Sequence, residues 1–335
     1  MIHPLHNSGK IFTLAQSFIL IQLPNPSKMH KISGTLLIFF VLHFSCFAQD
    51  YSIPEDTKRI VFLGNSITYH GKFISYIDAY LTLRYPEKTL EIINLGLPSE
   101  TVSGLSEPNH ADGKFPRPDL RERLQRVLDS LNADLVIANY GMNDGIYLPY
   151  DDARFSKFKA GMEWMHETIE DSGASLIHVT PPIYDEKKGA AYANVLDLYS
   201  DWLISCRYTR NWKVIDLHWP MKKHQEDQRL IDPDFAFAKD GIHPNDQGHF
   251  IMAREILLGL GEQVKEAETI EELLSAFPQG IQILLLVELR QEILKNAWLS
   301  HTGHKRPGLP EGLPISEAKQ KVAEIKKEIQ SLLQK

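Results

Sequence analysis

The sequence predicts an α/β fold in which a parallel sheet is covered on both faces. Three observations carry that prediction. Five short apolar runs occur between residues 59 and 217, each followed by turn residues. Stretches with apolar residues at helical spacing separate the runs, and strand–helix–strand alternation implies parallel pairing. The turns bearing Gly, Asn and Ser fall at the carboxyl ends of the runs, the edge where open sheets of this kind bind ligands.

Ile60 to Leu63 is the first run, and it leads through Gly64-Asn65-Ser66 into a helix marked by Phe73, Ile74, Ile77, Tyr80 and Leu81. Thr89 to Asn94 is the second strand. It is followed by a polar stretch from Pro98 to Pro118 that Gly and Pro interrupt too often for any regular element, so a long loop beside the site is expected there. Leu120, Leu124, Val127, Leu128 and Leu131 form one helix face, and Asp134 to Asn139 the third strand. Phe155, Phe158, Met162, Met165 and Ile169 mark the next helix, and Ser175 to Val179 the fourth strand. Val195, Leu198, Tyr199 and Trp202 precede the fifth, Lys213 to Leu217, and a last helix of this region runs from about Asp246 to Leu258.

Past Gly261 the chain becomes helical and rich in acidic and Lys residues. Ile281 to Leu299 predicts one helix; Ala318, Val322, Ile325, Ile329 and Leu332, stepping by four and three, predict an amphipathic final one. Four segments follow: 1–28 as an upstream extension, 29–48 as a secretory signal, 49–261 as the main domain, and 262–335 as a helical extension packed on it. The signal reading rests on Met29-His30-Lys31, the apolar run Leu36 to Phe47, and a small-residue cut after Ala48. Two alternatives are a lipid anchor at Cys46 and a membrane hairpin formed with Ile11 to Leu23. The mature chain is expected to contain no membrane span.

At 335 residues and 43% apolar content, the chain can bury a sizeable core. A net charge of −7 without any Lys/Arg block argues against nucleic acid or an anionic membrane surface as a partner and favours a neutral or mixed small-molecule substrate. Cys206 alone remains after signal removal, which excludes an internal disulfide and suits a periplasmic or extracellular protein built on its core. No feature of the sequence specifies an oligomeric state.

Ser66, at the end of a buried strand, has the setting of a nucleophile, and it needs a base, an orienter and oxyanion donors. Asp240-Gly241-Ile242-His243, just before the last helix, supplies a histidine and an aspartate three residues earlier that can accept from its Nδ1–H. No metal or cofactor enters this chemistry; His301 and His304 have ligand-like spacing but lack a third ligand nearby.

Gly64-Asn65-Ser66, Asn94-Leu95-Gly96, Gly141-Met142-Asn143-Asp144 and Asp240-Gly241-Ile242-His243 occur in that order, and together they resemble the SGNH hydrolase superfamily of GDSL-like lipases and acylhydrolases over Lys58 to Gly261. The first motif reads Gly-Asn-Ser where the family name comes from Gly-Asp-Ser. The resemblance implies a flavodoxin-like three-layer α/β/α fold around a five-stranded parallel sheet. It further implies that Ser66, His243 and Asp240 form a triad, and that the Ser66 N–H, the Gly96 N–H and the Asn143 amide form the oxyanion hole. The expected activity is that of an exported serine esterase removing an O-acyl group, acetyl first, from a carbohydrate. A lipid or short-chain alkyl esterase is the enzymatic alternative, and a non-catalytic glycan-binding protein the alternative of another class. Asn65, Asn109, His110, Tyr140 and Tyr147 are the expected substrate contacts, with Tyr184 and Trp219 as further rim aromatics and Ser106 and Asp112 as further loop residues.

Overall fold

The computed structural model describes residues 51–264 and 266–334; the upstream extension and the signal expected over 1–48 lie outside them. Strand β1 (Arg59–Gly64) is followed by a short helix α1 (Ser66–His70), helix α2 (Lys72–Arg84) and strand β2 (Glu91–Gly96). Helix α3 (Leu124–Leu131), β3 (Leu135–Asn139), α4 (Asp152–Asp171), β4 (Ser175–Val179), α5 (Glu186–Thr209) and β5 (Lys213–Ile215) continue the alternation. Helices α6 (His218–Arg229) and α7 (Asp246–Gly259) close the α/β region, and α8 (Ile270–Leu274), α9 (Gly280–Thr302) and α10 (Ile315–Leu333) form the C-terminal segment.

All five strands pair in parallel, in the order β2-β1-β3-β4-β5. Every residue of β3 is buried, as a central strand covered on both faces requires. The order places β1 between β2 and β3, so the chain leaving Gly64 emerges with the ends of β2 and β3 on either side.

Helix α2 buries ten of its thirteen residues because α7 and α9 both pack on it. Its apolar residues lie on all sides, as in a buried helix rather than a surface one, and the buried Asp78 carboxylate is met by Arg290 and Gln291 of α9. Helix α9 also crosses β2, and α10 lays Ala318, Val322, Ile325, Ile329 and Leu332 against the segment, the same five residues whose spacing predicts its apolar stripe. The helical extension therefore covers the β2 side of the sheet.

Several boundaries differ from expectation for identifiable reasons. Strand β2 is displaced two residues toward its C-terminus because Gly96, not Asn94, pairs with Gly64. The helix expected from Leu120 is split: residues 120–122 form a 3₁₀ turn, and α3 begins only after Arg123, whose φ of −127° leaves the helical region. Strand β5 stops at Ile215, and Leu217 becomes the cap residue of α6. Helix α6 escapes the sequence pattern because it is mostly polar after Met221 and buries only His218, Met221 and Gln225.

Candidate active site

Ser66 is the first residue of α1, directly past the end of β1. The local fold depends on two small-scale features. Asn65 caps the helix, its Oδ1 accepting from the Ile67 N–H at 3.0 Å. Gly64 has no room for a side chain, since a Cβ there would lie 2.1 Å from Thr68 Oγ1 and 2.7 Å from the Asn139 carbonyl. The strand can thus turn sharply into the helix and leave Ser66 half-buried at the rim.

Ser66 Oγ lies 2.8 Å from His243 Nε2, and His243 Nδ1 lies 2.6 Å from Asp240 Oδ2. An ionised carboxylate only accepts, so Nδ1 carries the proton and Nε2 is free to accept from the serine hydroxyl. The other aspartate oxygen accepts the Ile242 and His243 N–H groups at 2.9 and 2.8 Å, made possible by a turn in which Gly241 has φ +84°. Burial alone would raise the Asp240 pKa, but these N–H groups and the His243 ring hold it down to about 2. On the far face of the imidazole, the His70 ring stacks at 5.6 Å and 19°. Burial and the neighbouring His243 lower the His70 pKa, which favours its neutral form beside the reacting ring.

Asn143 is held from both ends of its amide. Its Nδ2 donates to the Glu100 carbonyl at 3.1 Å, which leaves its second hydrogen available, and Tyr147 Oη donates to its Oδ1 at 2.9 Å. The bond from Tyr147 fixes which way the amide faces. Delivering that hydroxyl strains the chain: Ile146 and Tyr147 have φ +48° and +57°, and a β-branched residue there is an outlier. Arg117, clamped on Glu107 at 2.7 Å through two nitrogens, lies over the Tyr147 ring at 5.3 Å and so connects the long loop to this amide.

Behind Asn143 lies a buried polar framework. Arg123 reaches Glu100 at 2.7 Å through both Nε and Nη2, its Nη2 also donates to the Leu95 carbonyl at 2.7 Å, and Tyr140 Oη donates to Glu100 Oε2 at 2.6 Å. Burial works against the Arg123 charge, but the Glu100 carboxylate outweighs it and pushes the guanidinium above its ordinary pKa. Asp144 accepts the Val102, Ser103 and Gly141 N–H groups, each at 2.9 Å, and so ties the turn after β3 to the loop after β2.

The expected oxyanion donor Gly96 is not available. Its N–H donates to Asn94 Oδ1 at 2.9 Å, and its missing side chain serves a different contact: a Cβ would lie 2.2 Å from the Tyr69 nitrogen, so glycine lets α1 pack on β2. The unpaired amide of this region lies three residues on. Leu97 to Glu100 form a turn closed by the Glu100 N–H on the Leu97 carbonyl at 3.1 Å, with Pro98 second and Ser99 third at φ +69°. Pro followed by a positive-φ residue defines a type II turn. The Ser99 N–H has no acceptor among the described residues, and Ser99 immediately precedes Glu100, whose carbonyl Asn143 contacts. The Ser66 N–H, at the first position of α1, likewise lacks a helical partner.

Other expected contacts fall elsewhere. Tyr140 is fully buried with its hydroxyl on Glu100, and Asn65 is 1% exposed and caps α1; both are framework residues rather than substrate contacts. Tyr147 stands beside the site with Tyr184, but its hydroxyl is committed to Asn143. Asn109 is exposed on the loop and His110 pairs with Glu107, and neither makes a described contact with Ser66, Asn143 or His243. Ser106 and Asp112 are engaged within the loop, with Arg117 and Lys114. Trp219, near the β5 edge, donates to Asp201 and lies away from the nucleophile. His249 is buried against Phe73. Among the described residues, no group of three or more His, Cys, Asp or Glu side chains could hold a metal ion.

The sequence pattern of the GDSL-like Lipase/Acylhydrolase family matches residues 62–251. The chain belongs to that family. This GDSL-like acylhydrolase is therefore a carboxylic ester hydrolase, and its five-stranded parallel sheet flanked by helices is the corresponding α/β fold. Two solved structures share that fold. Axe2, an acetylxylan esterase from Geobacillus stearothermophilus, aligns over 64% of this chain and 97% of its own at 21% identity, with a TM-score of 0.50. A gut microbial diltiazem-metabolizing enzyme aligns over 64% of this chain at 22% identity with a TM-score of 0.51, and the GDSL-like chain spans about half, 49%, of that enzyme's length. Among curated proteins, no sequence matches.

Proposed function

We propose that this acylhydrolase is a serine esterase that removes an O-acetyl group from a carbohydrate through an acyl-enzyme. The observation that carries the reading is the unbroken relay from Ser66 Oγ to His243 Nε2 at 2.8 Å and from His243 Nδ1 to Asp240 Oδ2 at 2.6 Å.

In this mechanism Ser66 Oγ attacks the ester carbonyl carbon as His243 Nε2 takes the hydroxyl proton, and Asp240 stabilises the resulting imidazolium. The negative oxygen of the tetrahedral intermediate is received by the Ser66 N–H, the Ser99 N–H and the second hydrogen of Asn143 Nδ2. Collapse breaks the bond to the alcohol oxygen, which leaves with the proton from His243. Water, deprotonated by the same imidazole, then attacks the acyl-Ser66 carbonyl and releases the carboxylic acid.

The alcohol side of the substrate is read from the cleft that begins at His70. It has a volume of about 280 Å³ and is lined by Lys72, Ser75, Glu288, Glu292 and Lys295. Such charged and hydroxyl-bearing walls suit a polyhydroxylated leaving group rather than an acyl chain. A second cavity, of about 180 Å³, lies beside Leu81, Leu90 and Leu260 at the amino end of β2, the end of the strand away from Ser66. The signal-like segment 29–48 supports an exported protein, and N-terminal sequencing of the secreted form should begin near Gln49.

A substrate panel tests the reading. Acetate release from acetylated xylan or another acetylated glycan should exceed hydrolysis of p-nitrophenyl butyrate in kcat/KM. A preference for butyrate or longer chains, with no acetate released from any glycan, would instead assign a short-chain alkyl esterase.

A further inference from the structure

The C-terminal segment lies beyond residues 62–251 that carry the family pattern, yet two of its cations reach the site. Lys295 in α9 sits 4.2 Å over the Tyr69 ring and donates to the Tyr69 carbonyl at 3.2 Å, on the helix that begins with Ser66. Arg306, in the loop between α9 and α10, donates through Nε to the Pro98 carbonyl at 3.2 Å, with its guanidinium 5.4 Å over the Phe115 ring. Its Nη1 bonds to the adjacent Pro307 carbonyl, and no carboxylate pairs with it among the described residues.

The Pro98 carbonyl and the Ser99 N–H belong to one peptide unit. That unit is planar and trans, so its C=O and N–H point in opposite directions, and a donor fixed on the oxygen sets where the N–H points. It is also the central peptide of the type II turn, whose rotation converts the turn to type I. A type I turn would place Ser99 at negative φ, which a residue with a Cβ prefers over the +69° seen here. The turn thus has a less strained form in which the amide faces away from Ser66. A charged donor on the carbonyl oxygen opposes that rotation and polarises the amide.

We propose that Arg306 is a positioning residue for the oxyanion hole: the C-terminal segment holds the Pro98–Ser99 peptide so that the Ser99 N–H meets the developing negative oxygen. The proposal rests on the oxyanion reading given under Proposed function. It makes the helical segment part of the catalytic machinery rather than only a cover.

The test compares Arg306→Ala, and Arg306→Met, which keeps an apolar stem over Phe115 but no donor, with wild type and Ser66→Ala on p-nitrophenyl acetate. Both Arg306 variants should lose about 10- to 10²-fold in kcat with KM within about two-fold, an effect of the size or somewhat below that of deleting one oxyanion donor. A boronic acid whose tetrahedral adduct occupies the hole should weaken by the same factor. Adding Ser99→Gly to Arg306→Met should recover part of the lost kcat, because glycine removes the steric preference for the turn form that faces the amide away; a further loss would count against the proposal. Wild-type kcat in the well-folded Arg306→Met protein, with Ser66→Ala inactive, would overturn the proposal while leaving the esterase mechanism intact. A loss of kcat matched by lost thermal stability, with unchanged boronate affinity per folded molecule, would also overturn it. Activity in Ser66→Ala would instead remove the mechanism beneath it.

Discussion

The Asp240–His243 pair stands at the surface, with side chains 51% and 37% exposed, whereas the Glu100–Arg123 pair behind the Asn143 amide is fully buried. Both are short hydrogen-bonded contacts to a carboxylate, yet they do different work. The exposed pair sits in a screened environment and contributes little to folding, so its value lies in orienting one imidazole. The buried pair touches no reacting atom, but it fixes the loop after β2 and the turn after β3 between which Ser66 emerges. Chemistry is concentrated on the exposed side of the site and stability on the buried side. A mutation on either side should separate rate from stability.

Five perturbations sharpen that separation, beginning with the largest effect. Ser66→Ala should lower kcat by about 10⁴- to 10⁶-fold, measured as ester hydrolysis against background, with an unchanged circular dichroism spectrum and melting temperature. Asp240→Asn should cost about 10⁴-fold in kcat by favouring the wrong imidazole tautomer, while urea unfolding changes by less than about 1 kcal/mol. Arg123→Met should do the reverse: it strands the Glu100 carboxylate in the interior and should cost about 3–5 kcal/mol in urea unfolding. A comparable stability loss in Asp240→Asn would erase the contrast between the two regions.

Tyr147→Phe lies between the two. It leaves the buried Asn143 Oδ1 without its donor, which should cost about 1–3 kcal/mol of stability and let the amide reorient, so kcat should fall more than KM rises. If only KM changes, Tyr147 is a substrate contact and not a support for Asn143.

The smallest effect is on acid stability. Asp240 titrates at about 2 in the folded protein against an ordinary 3.8, so its contribution is complete above the ordinary value and disappears as pH falls through about 2. The difference in melting temperature between wild type and Asp240→Asn should therefore shrink between about pH 4 and pH 2 and stay constant above that window. A difference that grows on acidification would reverse the assigned sign.

The five strands were legible because each is a buried apolar run, and Ser66, Asn143, Asp240 and His243 were legible as short motifs at strand ends and before α7. The residues that hold them were not. Nothing local to Gly96 reveals that Asn94 takes its N–H, and nothing local to Ser99 except the preceding Pro98 reveals a left-handed turn; the clue was a Pro-Ser pair in a stretch whose other irregularities made it read as loop. Tyr140 resembles a rim aromatic in sequence, and only the Glu100 carboxylate across the fold explains its burial. Arg306 is 208 residues along the chain from the carbonyl it contacts, so no spacing argument connects them. Helix α6 was missed because its polar residues lack a periodic apolar stripe.

The central claim is that His243 and Asp240 make one particular hydroxyl nucleophilic. Incubating the folded protein with a fluorophosphonate and mapping the adduct by peptide mass spectrometry tests it directly. The account predicts a single modification, on Ser66, that is lost in His243→Ala. Modification of another serine, or undiminished labelling of Ser66 without His243, would contradict it.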